Sequence, residues 1–158
     1  MRPLSLSVLT FVTASLAAPV LSDGHSSKAL EDAAKARSAN MAVIGYHMGV
    51  LGSMAKGEAP YDAALATAAA ENILAGASMS RIALYLEGSE QGAVPGSRAK
   101  AEIWSDAAGF EEKAIAFETE AAAMVVAAGT DLDALRGQMQ ALGGTCGDCH
   151  KPYRGPRN

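Results

Sequence analysis

Aromatic side chains are scarce in this 158-residue sequence: Phe, Tyr and Trp together make only 5% of it. Alanine and glycine are abundant instead, and the few prolines fall between runs of helix formers, a balance that favours packed helices over a sheet. Cysteine occurs only as Cys146 and Cys149, so no disulfide framework can be read from it. Basic residues number 13 against 17 acidic ones, for a formal net charge of −4 and a pI near 5.3. Without a large basic surface, nucleic acid is not the expected main partner. Past residue 22 no apolar run is long enough to cross a bilayer, which argues against stable membrane insertion. The length suits one domain.

The start of the chain is the exception to this even hydropathy. Arg2 precedes the apolar stretch Leu4 to Ala18, and small residues follow from Ala17 to Ser22. A short charged start, a short apolar core and a small-residue cleavage region describe a secretory signal. A buried first helix or an uncleaved anchor is the competing reading, but the core is short for a bilayer and Pro19 interrupts it. The expected division is a cleaved leader over 1–22 and a mature domain over 23–158. In a Gram-negative bacterium that domain is exported to the periplasm.

Four amphipathic stretches follow. From Ser27 to Ala55, Arg37, Met41, Ile44, Met48 and Leu51 recur in steps of four and three, on one helix face. After a turn over 56–61, Asp62 caps a second helix, expected to run to about Leu86 with Leu65, Ala69, Ile73, Met79 and Ile82 on its apolar side. An irregular link with Gly92, Pro95 and Gly96 leads to a third helix, expected to begin after Trp104 with Ser105 as cap. Its stripe is Phe110, Ala114, Phe117, Ala121, Met124 and Ala128, and it ends at Gly129. With Thr130 as cap, the fourth helix carries Leu135, Met139 and Leu142 straight into Cys146 and Cys149. Four such stripes predict an all-α, antiparallel four-helix bundle. Most of the methionines read as core packing.

Cys146-Gly147-Asp148-Cys149-His150 is the strongest functional signal. On a helix the two sulfurs share a face and reach the two vinyl-derived positions of one porphyrin, while His150 turns its imidazole to the iron. The motif predicts one covalently bound haem c. A redox dithiol does not need the histidine, and no second Cys pair or His set completes a zinc site. His25 is expected near the mature terminus and exposed. His47 is a second imidazole, but it lies off the Met41/Ile44/Met48 stripe, where packing or a surface hydrogen bond explains it.

The order of these segments is more specific than the motif alone. Arg37-Ser38-Ala39-Asn40-Met41, Gly45-Tyr46-His47-Met48-Gly49, Ala55-Lys56-Gly57-Glu58, Glu102-Ile103-Trp104, Phe110 and the ending from Cys146 to Arg154 together resemble the cytochrome c-prime family and its low-spin cytochrome c-556 relatives. The resemblance implies a bundle often assembled as a homodimer and a haem protein that binds nitric oxide or carbon monoxide, with redox exchange toward a periplasmic protein. No further acid/base or substrate constellation suggests an enzyme. It implies His150 as proximal ligand, Met41 on the opposite side of the iron, Arg37 near a haem propionate and Arg154 in the proximal electrostatic environment. Two coordination states follow. With Met41 as a non-ligating shield, the iron is five-coordinate and open to gas. With the Met41 thioether as ligand, it is six-coordinate and low-spin, as an electron carrier. A structural helical module without haem is the more remote alternative.

Overall fold

The computed structural model describes residues 24–157, so the leader expected over 1–22 lies outside the described residues. Helix α1 (Ser27–Lys56) starts where the Ser26 hydroxyl accepts the Ala29 amide at 3.2 Å, satisfying one of the free amides of a helix start. It ends at Gly57, whose φ of 76° lets its amide donate back to the Met54 carbonyl at 3.0 Å. Arg37, Ile44 and Leu51, spaced by seven, are buried along α1. Met41 and Met48 lie between them, exposed and half-buried respectively.

Helix α2 (Ala63–Ala77) is capped as expected, with Asp62 accepting the Leu65 amide at 2.9 Å. It buries Ala66, Ala69, Ala70 and Ile73 and stops well short of Leu86. A separate turn, α3 (Arg81–Leu84), follows. The anticipated apolar side holds at Ala69 and Ile73, which are buried, and fails elsewhere: Leu65 and Met79 are exposed, and Ile82 is 87% exposed. The physical reason is that the face α2 buries would continue at Ser80 and Arg81, which are polar. The chain leaves the helix instead. Arg81 pairs with Glu111, and the Leu84 carbonyl accepts from Arg37 at 2.7 Å.

The start of the third long helix also differs from expectation. Glu102–Ser105 forms its own turn, α4, and Asp106 rather than Ser105 caps α5 (Ala107–Thr130) by accepting the Gly109 amide at 3.2 Å. At the far end α5 runs one residue past Gly129. Thr130 belongs to it, its hydroxyl donating to the Val126 carbonyl, and Asp131 caps α6 (Leu132–Tyr153) through the Ala134 amide at 2.8 Å. In both places a carboxylate one residue on serves as cap in place of a hydroxyl.

Helices α1, α2, α5 and α6 form the four-helix bundle, with α5 packed on α2 and α6, and α1 on α2 and α6. Leu51, Ile73, Met124, Leu135 and Leu142 are fully buried within it. Where α1 meets α2, a Cβ on Gly76 would lie 2.8 Å from Asn40 Oδ1 and 2.9 Å from Ile44 Cγ1, so only glycine permits this approach. Asn40 uses the space to donate to the Gly76 carbonyl at 3.0 Å. The link between α3 and α4 is tied to the end of α6: the Lys100 amide donates to the Tyr153 carbonyl at 3.0 Å and the Gly155 amide to the Arg98 carbonyl at 2.8 Å.

Candidate cofactor site

The last two turns of α6 carry Cys146, Cys149 and His150, all half-buried, on the side that faces α1 and α5. They open onto a cavity of about 510 Å³ whose other walls include Met41, Ile44 and Met48 from α1 and Phe117 from α5. A second cavity of about 450 Å³ shares Met41, Tyr85, Phe110, Cys149, His150 and Arg154 with the first, and adds Arg37, Arg98 and Arg157. Under this wall, Ile103, Phe110 and Tyr153 form a small core of their own. Tyr153 donates its hydroxyl to Asp106 at 2.7 Å, and its ring stands edge-on to Phe110 at 5.3 Å.

The chemistry of the donor set is that of passive attachment. Both cysteines are free thiols, and burial pushes each thiol up from its ordinary range. Redox dithiols need the opposite, a readily formed thiolate. Burial pushes the His150 imidazole down, and Arg154 and Arg98 push in the same direction, so at neutral pH it is uncharged with a lone pair to give. Among the described residues no group of three or more His, Cys, Asp or Glu side chains is placed to hold a metal ion on its own. A haem fits these residues. The cavity lies within the roughly 300–1,000 Å³ usual for cofactor sites, and both thiols and the imidazole line it beside apolar side chains.

The remaining anticipated site residues fall as follows. Met41, 40% exposed, lines both cavities. Arg154 also lines both, and among the described residues its guanidinium has no acceptor. Arg37, expected near a haem propionate, is only 7% exposed and lines the second cavity. Among the described residues its acceptors are neutral oxygens. One terminal nitrogen donates to the Leu84 carbonyl and the Ser89 hydroxyl, both at 2.7 Å, and the other to the Ser89 carbonyl at 2.9 Å and the Ser97 hydroxyl at 3.2 Å. The Tyr85 ring lies 5.2 Å from the guanidinium carbon. His47 lines neither cavity. It packs edge-on to Tyr46 at 5.0 Å, its Nδ1 is buried with no hydrogen-bond partner among the described residues, and His25 is exposed.

Tyr85, Arg98 and Arg157 belong to the site and escape a reading of the sequence. They sit in an irregular link and a C-terminal tail, where no periodicity assigns a face, and only the pairing of the two segments brings them to His150.

Comparison with known proteins agrees with this geometry. The profile of the family described as Cytochrome C' matches residues 32–154. A cytochrome c-554 from Cereibacter sphaeroides is 40% identical over 154 residues, covering 98% of each chain. A cytochrome c-556 from Agrobacterium fabrum is 35% identical over 118 residues, covering 75% of this chain and 77% of that one. Among solved structures, a cytochrome c' from Rhodobacter Spheriodes superposes with a TM-score of 0.77 at 38% identity, covering 81% of this chain and 98% of that one. A nitric oxide complex of a cytochrome c prime variant from Alcaligenes xylosoxidans superposes with a TM-score of 0.71 at 36% identity, over 80% and 97% of the two chains.

Proposed function

Since the chain belongs to the cytochrome c' family, we propose that it holds one haem c by thioether bonds from Cys146 and Cys149, with His150 on the iron, and takes up small diatomic gases such as nitric oxide or carbon monoxide. The carrying observation is a cavity lined by both thiols and by a single imidazole, with thioether and hydrocarbon around Met41. When bound, the haem supplies an iron that can take a gas molecule and change oxidation state. The protein supplies the rest. The two cysteines keep the group attached whatever the axial ligands do. Uncharged His150 gives its lone pair, and Arg154 sets the electrostatic environment of that imidazole. Met41 shields the open side from larger ligands without binding strongly. Arg37 holds the 84–97 link against α1, and with it Tyr85 at the cavity wall. This is the work of a haem carrier rather than of an enzyme.

The test is spectroscopic. Haem that stays with the chain in denaturant rejects the structural-module alternative. A high-spin, five-coordinate ferrous signal that changes on adding carbon monoxide supports gas binding.

The Met41 thioether itself favours a second reading. It lines both cavities together with His150, and the matched relatives include cytochromes c-554 and c-556. If its sulfur ligates, the protein is a six-coordinate, low-spin electron carrier for a periplasmic redox protein. A clean low-spin spectrum lost in Met41→Leu establishes that reading and overturns the first.

The same proposal includes export to the periplasm with removal of residues 1–22, and assembly as a homodimer. No helix among the described residues is long and apolar enough to cross a membrane. Val43 and Tyr46 on α1 and Leu65 on α2 are exposed apolar side chains, which supports a partner copy against these helices. A single species of monomer mass across a broad concentration range in analytical ultracentrifugation would refute the dimer.

A further inference from the structure

The cations of the described residues fall into two sets. Lys28, Lys35, Lys56, Arg81, Lys113 and Arg136 each lie beside a carboxylate. Arg98, Lys100, Lys151, Arg154 and Arg157 form no ion pair among the described residues. Buried Arg37 apart, every described cation without a carboxylate thus falls in two short segments, 98–102 and 151–157. Those segments hold five cations and one carboxylate, Glu102, in a chain where acidic residues outnumber basic ones.

The fold fastens the two segments together. The Lys100 amide donates to the Tyr153 carbonyl at 3.0 Å, and the Gly155 amide to the Arg98 carbonyl at 2.8 Å. Arg98 Nε and Nη2 donate to the Gly155 carbonyl at 3.0 and 2.7 Å, and Gln91 Nε2 to the Pro156 carbonyl at 3.0 Å. Besides burial, Arg154 and Arg157 push the Arg98 guanidinium down, as like charges do when held together. Asp106, the next carboxylate along the chain, accepts the Tyr153 hydroxyl at 2.7 Å. Lys151, Arg154 and Arg157 are exposed, and among the described residues the side chains of Lys100, Lys151 and Arg157 make no hydrogen bond.

We propose that this basic surface is the docking face for the acidic surface of an electron-transfer protein. The docking rests on the haem reading above and on its capacity for redox exchange, and it gives the redox partner a surface chemistry. Arg98, Arg154 and Arg157 line the second cavity beside Cys149 and His150, so a protein seated on them lies against the attachment end, where electron exchange requires it. Opposite charges draw two proteins together over a distance and orient them before contact. An anionic membrane is the poorer fit. None of the exposed large apolar side chains belongs to either segment, so nothing is offered for insertion among lipids.

The experiment uses the full-length, haem-loaded protein, with covalent haem counted in denaturant. Wild type is compared with a patch variant carrying Lys100→Gln, Lys151→Gln and Arg157→Gln. The charge-matched control carries Lys28→Gln, Lys35→Gln and Lys56→Gln, all on α1. The three patch side chains bond to nothing among the described residues, so their loss leaves the fold in place. A fluorescent oligoglutamate peptide stands for the acidic face and is titrated at low and high salt. Ferricyanide, an anion that takes one electron from ferrous iron and becomes ferrocyanide, reports the local field by stopped flow. Wild type and control should bind the peptide at low salt only, and their ferricyanide rates should fall as salt is raised. The patch variant should lose the peptide and react about tenfold more slowly at low salt. A wild-type rate that rises with salt, as the net negative charge of the chain dictates for two anions, overturns the proposal. Equal peptide binding by wild type and patch variant does the same. Binding to phosphatidylglycerol vesicles without binding to the peptide gives the face to a membrane, and salt-sensitive self-association lost only in the patch variant gives it to a second copy. Either result overturns the proposal. Wild-type chain without covalent haem, or ferrous protein inert to ferricyanide, sinks the haem or redox reading itself and the docking with it.

Discussion

The two ends of the bundle are built on different rules. Toward the closed end, Leu51, Met124, Leu135 and their neighbours interdigitate with no exposure. Toward the other end the same four helices separate around the cavity walled by Met41, Ile44 and Phe117, and a small aromatic core of Phe110 and Tyr153 replaces the aliphatic one. The contrast teaches where stability and function reside. Close packing of apolar volume carries the fold, whereas the attachment end gives up that packing to leave room for a group that the protein does not itself supply.

Several substitutions would break or sharpen this division. The largest effect is expected from the double change Cys146→Ala with Cys149→Ala, which removes haem staining from a denaturing gel almost completely while the far-ultraviolet helical signal persists. Retained stain would place the attachment elsewhere. At the closed end, Leu135→Ala should lower unfolding stability by about 2–5 kcal/mol, the usual range for a fully buried leucine, with haem content unchanged. Chemical denaturation of both proteins checks it. Gly76→Ala probes the boundary, since the added methyl would meet Asn40 and Ile44 closer than real contacts allow. A loss of about 1–3 kcal/mol is expected in the same measurement.

The smallest effect concerns Tyr153. Its hydrogen bond to Asp106 pushes the phenol up from 10.0 to about 12. A raised acid keeps its contribution below the unfolded value and loses it as pH rises through the folded one. Stability should therefore fall between about pH 10 and 12 in the wild type, and Tyr153→Phe should lack this component. Identical pH profiles would show that the bond contributes nothing to the attachment end.

The same division governs what could be read from the sequence. The α5 stripe Phe110, Ala121, Met124 and Ala128 is buried as its spacing requires, and the continuity of Leu135 and Leu142 into the attachment motif places both cysteines and His150 on one cavity. Periodicity is enough for side chains whose partners lie across a regular helix face. It fails from Met79 to Leu86, where an apolar pattern persists although Ser80 and Arg81 occupy the core-facing positions. It is silent on Arg98 and Arg157, whose meeting depends on a link and a tail 57 positions apart at the Arg98–Gly155 contact. Arg37 is an intermediate case: spacing gives its inward direction, but not that its acceptors are the oxygens of a distant loop.

The two arginines that hold the 78–97 stretch answer differently to acid and to salt. The Arg81 latch needs an ionised Glu111, which Arg81 holds below its ordinary 4.5. A depressed acid loses its contribution as pH falls through the folded value, and salt screens such a half-exposed pair. The Arg37 pin has carbonyl and hydroxyl acceptors, which do not titrate, inside a region that counterions reach poorly. Acid or brine would thus free the outer tether while the inner one held, so the wall beside the cavity would loosen by degrees without letting go.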